Sequence, residues 1–464
     1  MVMSLKEAFQ ILSPVIFLCG GAFLMLMIDS FKKTAWSSSG LSMLSIIGAL
    51  LGTFYYQRLF FDGKIVFGSF YADPVTWYFT VLMLLGTLLS VLLSSGKLYQ
   101  EKIDSPAEFY SLLLMSTAGA VLFIASSDLI MMFLSLEIMS MALYCLCGAA
   151  LTVRVSSESA LKYFLLGSFS SAFLLYGFSF LYGLTGSFSL EAIALAAPNV
   201  NETVLKFALG LCLIGLLFKL GAVPFHFWAP DVYQGAPTTT TAYMACVVKA
   251  AAVGVLIRFL WVCFGDVLPY WSNTIWIVSV ATLLIANVIA VRQKDVKRML
   301  AYSSIGHAGY LCMPLLAPEA QFGGGSAILF YLIGYTLMTM GAFAVVLLVG
   351  NANSSDQNPT SLDRFKGLGK RNPILALTMS LFLLSLAGLP PGMIGLLGKF
   401  YIFSSAVKAG FVGLTIVAAL CSAISCYYYL RVIVVMYFGD DEEIVKEVPS
   451  TFSTRLVLGA CALG

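Results

Sequence analysis

Runs of about 20 apolar residues recur along the whole chain, and as a helix each is long enough to cross about 30 Å of hydrocarbon. Inside lipid only helices and closed barrels pair every backbone group, and strand-period alternation is absent, so the sequence predicts an all-α polytopic membrane protein. Fourteen spans are expected, at 8–29, 37–57, 72–95, 107–125, 128–151, 158–183, 203–223, 237–261, 272–291, 299–316, 325–350, 372–404, 409–438 and 452–464. Only 11% of the 464 residues are charged, against roughly 25% in soluble domains, and no stretch reads as a soluble domain. Gly350–Pro359, with Asn351, Asn353, Ser354 and Ser355, is a polar loop. Glu7–Ile28 runs into Lys32 and Lys33 without a small-residue cleavage site, and reads as a first span rather than a signal peptide. The last run stops at Gly464 after about a dozen residues, too short to cross, so it is expected to be the start of an incomplete helix.

Loop charge orients these spans, because cytoplasmic loops hold the excess of Lys and Arg. Alternate loops contain Lys32 and Lys33; Lys97 and Lys102; Arg154; Arg292, Lys294, Lys297 and Arg298; Arg364, Lys366, Lys370 and Arg371; and Lys446. The opposite set holds little beyond Lys6, Arg58, Lys64 and Lys408, a bias of 14 against 4 that places the N-terminus outside the cytoplasm. Ten cysteines lie scattered in apolar segments, and only Cys145 and Cys147 are close in sequence. On a helix that pair points to different faces, so ordinary buried thiols are expected, and no metal, haem or iron–sulfur spacing is present. Nucleotide-binding loops are absent too, which puts any redox chemistry elsewhere.

Leu211–Thr241, LCLIGLLFKLGAVPFHFWAPDVYQGAPTTTT, departs from this plain pattern. An apolar run carrying Lys219 breaks at Pro224 and passes through an aromatic stretch with His226 and Asp231 before apolar sequence resumes at Pro237. A broken helix at membrane depth is tolerated only where the freed backbone groups are buried in protein or line a watery cavity, so the break marks a path for ions. SLAGLPPGMIGLLGKFYIF, with Pro390, Pro391 and Lys399, has the same architecture five spans later. Since five is odd, a repeat relating the two segments is inverted across the membrane.

Ionisable residues within the spans are Glu137, Lys162, Lys219, Lys249 and Lys399, with His226, His307 and Arg431 as supporting members. An isolated charge at the bilayer centre costs at least about 2.5–3.5 kcal/mol on insertion scales, so each needs a partner, water or neutralisation. Desolvation brings Lys and Glu toward the range where a proton is exchanged near neutrality. Competing readings stand beside this one. Glu158 lies one turn before Lys162, and an i,i+4 pair explains both charges. Lys219 could plug carbonyls freed at Pro224, Lys399 has the same ambiguity at its prolines, and Lys249 and Glu137 could be satisfied packing charges. His307 is a relay or a buried donor. His226 could bond loop backbone, and Arg431 can orient water or a carboxylate but cannot relay. Taken together, a row of lysines, one glutamate and two broken helices is what proton conduction through hydrated half-channels requires.

HFWAPDVYQGAPTTTTAYM (226–244), ESALKYFLLGSFSSAFLLYG (158–177) and GLPPGMIGLLGKFYIF (388–403) resemble the antiporter-like membrane subunits of respiratory complex I, and most closely the subunit N family of bacterial NADH-quinone oxidoreductases. The resemblance runs from about Glu108 to Gly439. It implies about fourteen transmembrane helices with discontinuous helices 7 and 12: three N-terminal helices (1–106), a first five-helix repeat (107–261), an inverted second repeat (272–438), then a cytoplasmic loop and the start of a last helix (439–464). It further implies a proton path in which Glu137 matches the fifth-helix glutamate, Lys162 a sixth-helix lysine, Lys219 the seventh-helix lysine, Lys249 the eighth-helix lysine and Lys399 the twelfth-helix lysine. On this resemblance the subunit binds no cofactor, while NADH, FMN, iron–sulfur clusters and quinone belong to partner subunits of the membrane and peripheral arms. The expected location is a bacterial cell inner membrane. The rival expectations are a subunit of a multi-subunit cation/proton antiporter or membrane-bound hydrogenase, and a structural membrane spacer without transport.

Overall fold

The computed structural model describes residues 5–31, 35–318, 323–351, 358–439 and 451–463. The expected loop charges Lys32, Lys33 and Lys446, and the polar residues Asn353, Ser354 and Ser355, lie outside the described residues. The long helices are α1 Ser13–Phe31, α2 Ala35–Tyr55, α3 Pro74–Ser94, α4 Pro106–Ala125, α5 Leu129–Cys147, α6 Arg154–Thr185, α7 Glu202–Leu220, α8 Thr238–Cys263, α9 Ser272–Ala290, α10 Val296–Cys312, α11 Gly324–Asn351, α12 Pro373–Ala387, α13 Met393–Lys408, α14 Val412–Phe438 and α15 Phe452–Leu463. Among the described residues eleven helices are long and apolar enough to cross a membrane, rather than fourteen. The other expected spans correspond to shorter elements: α10, the pair α12 and α13, and α15.

The chain divides into two compact units, one of Met1–Val91, Lys102–Leu220 and Val247–Trp271, the other of Leu92–Glu101, Gly221–Cys246 and Ser272–Gly464. In the first unit α4 packs on α5 and α6 on α7 through small residues. Without a hydrophobic drive between helices in lipid, close van der Waals approach is what joins them. A Cβ on Gly119 of α4 would lie 2.5 Å from the Met139 backbone nitrogen, and one on Gly177 of α6 would lie 2.6 Å from Cys212 Sγ and 2.9 Å from the Cys212 backbone nitrogen. In the second unit α9 packs on α10 and α14, and α11 on α12, α13 and α15.

Both units carry the same local device. Asp128 and Asp295 cap α5 and α10, their carboxylates accepting from Met131 N at 2.8 Å and Arg298 N at 2.7 Å, which satisfies donors that a helix start leaves unpaired. Each capping residue also forms an isolated antiparallel bridge, Asp128 with Ser189 and Asp295 with Ser361. The hydrogen bonds repeat in register: Leu129 N to Phe188 O and Leu190 N to Ser127 O in one, Val296 N to Thr360 O and Leu362 N to Lys294 O in the other.

The breaks repeat as well. After α7 comes Gly221 at φ +75°, then a cis Val223–Pro224 bond; after α12 comes Gly388 at φ +81°, then a cis Pro390–Pro391 bond. Left-handed backbone at the residue after a helix is where glycine is favoured, and proline beyond it prevents the helix from resuming. Downstream of the first break a short helix, Trp228–Gly235, leads into α8. The turn between them is held by charge: Glu101 accepts from the backbone of Thr238 and from Thr239 Oγ1 at 2.6 Å, and Lys297 Nζ donates to Ala236 O at 2.5 Å. An anion at a helix start and a cation at a helix end both complement the helix dipole. Lys297 and Arg298, expected as loop charges, instead lie in the first turn of α10, with Lys297 buried. Likewise α8, expected as one regular helix, contains π-helical segments at Met244–Val248 and Arg258–Cys263.

Two features had no counterpart in the sequence reading. A hairpin of Lys64–Val66 and Phe70–Ala72 packs Val66, Phe70 and Ala72 against Ala8, Ile11 and Phe60, its strands too short to show a period. Arg258 is a buried charge on α8, held bidentately by Asp73 at 2.6 and 2.9 Å, by Thr76 Oγ1 at 2.6 Å and by the Ile124 carbonyl. Burial pushes the Asp73 carboxyl up, but the Arg258 guanidinium outweighs it and holds the carboxyl below its ordinary value. The pair therefore stabilises the fold fully above the unfolded carboxylate value of about 3.9, and the contribution is lost as pH falls through the lower folded value.

Gly177→Val is expected to lower the thermal midpoint of the detergent-solubilised protein by the equivalent of about 1–3 kcal/mol, the usual penalty for overpacking. Asp73→Asn strands the Arg258 charge and is expected to cost about 3–5 kcal/mol in the same assay, whereas Asp73→Leu with Arg258→Met costs less than the single change. A double variant as unstable as Asp73→Asn would show that the charge itself is not what the site must satisfy.

Candidate functional site

In the first unit Lys219 lies two residues before the break, in the last turn of α7, and is 4% exposed. Its ammonium donates to the Tyr163 hydroxyl at 3.3 Å and lies over two rings, 4.9 Å from the centroid of Tyr163 and 5.4 Å from that of Tyr144. It does not take the carbonyl-plug role open to it in sequence. Glu137 on α5 is half-buried, accepts from Ser171 Oγ of α6 at 2.6 Å, and interacts electrostatically with Lys219. Ser135, two residues before Glu137, has a buried hydroxyl without a hydrogen-bond partner.

Lys249 is buried at the junction between the first π-helical segment of α8 and the α-helical section that follows. Irregular turns of this kind recur at functional positions, because they re-aim the side chains around them. Lys162 is placed differently from the other lysines. Its amine is 2.8 Å from Glu158 on the exposed side of α6, with the two side chains 43% and 55% exposed, so the i,i+4 pair is formed.

In the second unit Lys399 of α13 is buried, and its ammonium donates to the Ala387 carbonyl at 2.6 Å and to Ser422 Oγ at 2.9 Å. Ala387 is the last residue of α12, so the twelfth-segment lysine does take a carbonyl freed by its break. Its Nζ also lies 5.2 Å from the centroid of the Tyr310 ring. His307, buried on α10, is bonded at both nitrogens, Nδ1 to the Tyr331 hydroxyl at 2.5 Å and Nε2 to the Tyr429 hydroxyl at 3.2 Å. Tyr429 in turn bonds Ser303, and Tyr335 donates to Ser304 Oγ at 2.9 Å. Partners on both sides let the imidazole accept a proton at one nitrogen and release one at the other, as a relay must.

The remaining supporting residues are anchored to backbone. His226 is buried, with its ring 4.5 Å from that of Phe227, a hydrogen bond to the Pro224 backbone, and Nδ1 without a partner. Arg431 donates to the carbonyls of Val291 at 3.1 Å and Gln293 at 3.3 Å, where α9 ends. It thus ties down a helix terminus, rather than holding the carboxylate considered for it. Asp231 accepts from Arg298 at 2.7 Å, fixing the short helix after the break to α10.

Sequence reasoning singled out the charged groups and passed over the tyrosines that surround them. Tyr144 and Tyr163 meet Lys219, while Tyr310, Tyr331 and Tyr429 meet Lys399 or His307. The available signal was their position: Tyr163 adjoins Lys162, and Tyr310 follows His307 by one helical turn. Among the described residues no three His, Cys, Asp or Glu side chains come together as ligands for a metal ion.

Residues 126–437 match the family described as NADH:quinone oxidoreductase/Mrp antiporter, TM. A protein of Trichlorobacter lovleyi named NADH-quinone oxidoreductase subunit N is 41% identical over 98% of this chain and 93% of its own length. Among solved structures, a chain of respiratory complex I from Thermus thermophilus with bound aureothin is similar at a TM-score of 0.82 and 33% identity, covering 97% of this chain and 95% of that one. A chain of the membrane-bound sulfane sulfur reductase, an archaeal respiratory membrane complex, shares the fold at a TM-score of 0.86 and 24% identity, covering 99% and 93%. A family match over the antiporter-like core and a full-length relative at this identity lead to one conclusion: the chain belongs to the NADH-quinone oxidoreductase subunit N family of antiporter-like membrane proteins.

Proposed function

We propose that this chain is a non-redox, proton-translocating membrane subunit of an NADH:quinone oxidoreductase. Electron transfer from NADH to quinone, through FMN and iron–sulfur clusters, takes place in partner subunits and drives charge movement along the lysine row. The relay consists of Glu137, Lys219, Lys249 and Lys399, with Lys162 joining from the exposed side of α6 and His307 passing protons within the second unit. Three lysines buried in helices at membrane depth, two of them beside breaks and among hydroxyl groups, carry the reading. A buried ammonium is costly unless it is partnered or gives up its proton, so such positions are suited to exchange.

The repeated capping bridge and the repeated glycine–proline break support two five-helix repeats, at 107–261 and 272–438, related by inversion because their broken segments lie an odd number of spans apart. With Lys297 and Arg298 set aside as helix residues, the loop-charge bias supports an N-terminus on the non-cytoplasmic side, and the Trichlorobacter lovleyi relative supports a bacterial inner membrane. A subunit of a multi-subunit cation/proton antiporter is the second reading, favoured by a family description that covers both kinds of complex. Flavin and iron–sulfur clusters co-purifying with the chain separate the first reading from the second.

Lys219→Met and Glu137→Ala are expected to lower the proton-to-electron ratio of the reconstituted complex severalfold while leaving its assembly intact. Lys162→Met, which removes a largely exposed ion pair, is expected to lower it less. Unchanged ratios in well-assembled Lys219→Met and Glu137→Ala complexes would refute the relay.

A further inference from the structure

We infer that Tyr144 and Tyr163 form an aromatic box that positions the Lys219 ammonium away from Glu137, holding the cation there in competition with a salt bridge to that carboxylate. The inference rests on the relay reading above and adds positioning residues to it.

The two rings stand 4.9 Å apart at an interplanar angle of 85°, and the Lys219 amine lies over both. A ring face attracts a cation through its quadrupole and gains little from a neutral amine, and the attraction is strongest where water is excluded. Tyr163 is fully buried and Tyr144 is 6% exposed. Phe218 stacks beside Tyr163 with centroids 6.5 Å apart, which restrains that ring. The opposite helix is shaped to admit the other ring: a Cβ on Gly167 of α6 would collide with the Tyr144 hydroxyl.

The acid is occupied at the same time. Glu137 accepts from Ser171, and Lys219 donates to Tyr163, so acid and amine each have a neutral partner in place of one another. The titratable groups facing Lys219 are Glu137, Tyr144 and Cys147 on α5 and Tyr163 on α6. Of these only Glu137 is a carboxylate, and a salt bridge to it competes directly with the box. The Lys219 ammonium then has two arrangements to move between, the box and the salt bridge, and the box defines one of them.

The test uses the whole complex in proteoliposomes, read by proton-to-electron ratio with electron transfer measured in parallel. Phenylalanine and its mono-, di- and trifluorinated analogues are placed at position 163, and separately at position 144, so that ring charge changes while shape is nearly kept. Tyr163→Phe and Tyr144→Phe are expected to retain most of the pumping, and each added fluorine to lower it, to a total loss of about threefold to tenfold. A flat fluorine series at both positions overturns the box. Loss at Tyr163→Phe equal to that at Lys219→Met also overturns it, in favour of the hydroxyl alone. Normal pumping by Lys219→Met would instead remove the relay reading beneath it, an outcome distinct from either.

Discussion

A backbone carbonyl or amide left unpaired in hydrocarbon costs several kcal/mol, and the chain can interrupt its helices only where something else fills those bonds. Two such interruptions set where Lys219 and Lys399 lie. Each begins with a left-handed glycine, Gly221 or Gly388, and each ends at a cis proline. The breaks are two of the places where charge is buried; Lys249 and Arg258 on α8 are others.

The two breaks solve the problem differently. At the second, Lys399 bonds the terminal carbonyl of α12 directly. At the first, Lys219 leaves the backbone to others and turns to two aromatic rings and a hydroxyl. The carboxylate Glu137 belongs to the surroundings of the first lysine only, whereas the second is accompanied by tyrosines and a histidine bonded at both nitrogens. Two breaks with matching backbone devices thus hold chemically different sites.

What could be read from the sequence was what is local in it. Spans follow from length and hydropathy, the breaks from proline, and the Glu158–Lys162 pair from one turn of helix. Partners distant in sequence were not legible. Arg258 lies 185 residues from Asp73, Tyr163 lies 56 from Lys219, and Tyr429 lies 122 from His307, so packing alone brings each pair together. Lys297 shows the same limit from another side, since a count of loop charges cannot distinguish an ammonium in water from one buried on a carbonyl. The hairpin was missed because three residues cannot display an alternation.

The hydrogen bonds of Lys399 have a mechanical consequence. An ammonium has three N–H groups and a neutral amine two, and this side chain has two acceptors, the Ala387 carbonyl and the Ser422 hydroxyl. Losing one proton therefore leaves enough donors to keep both bonds, and the end of α12 stays satisfied in either state. The scaffold at this break need not rearrange when the charge leaves, so motion of the helix and motion of the proton are separable here.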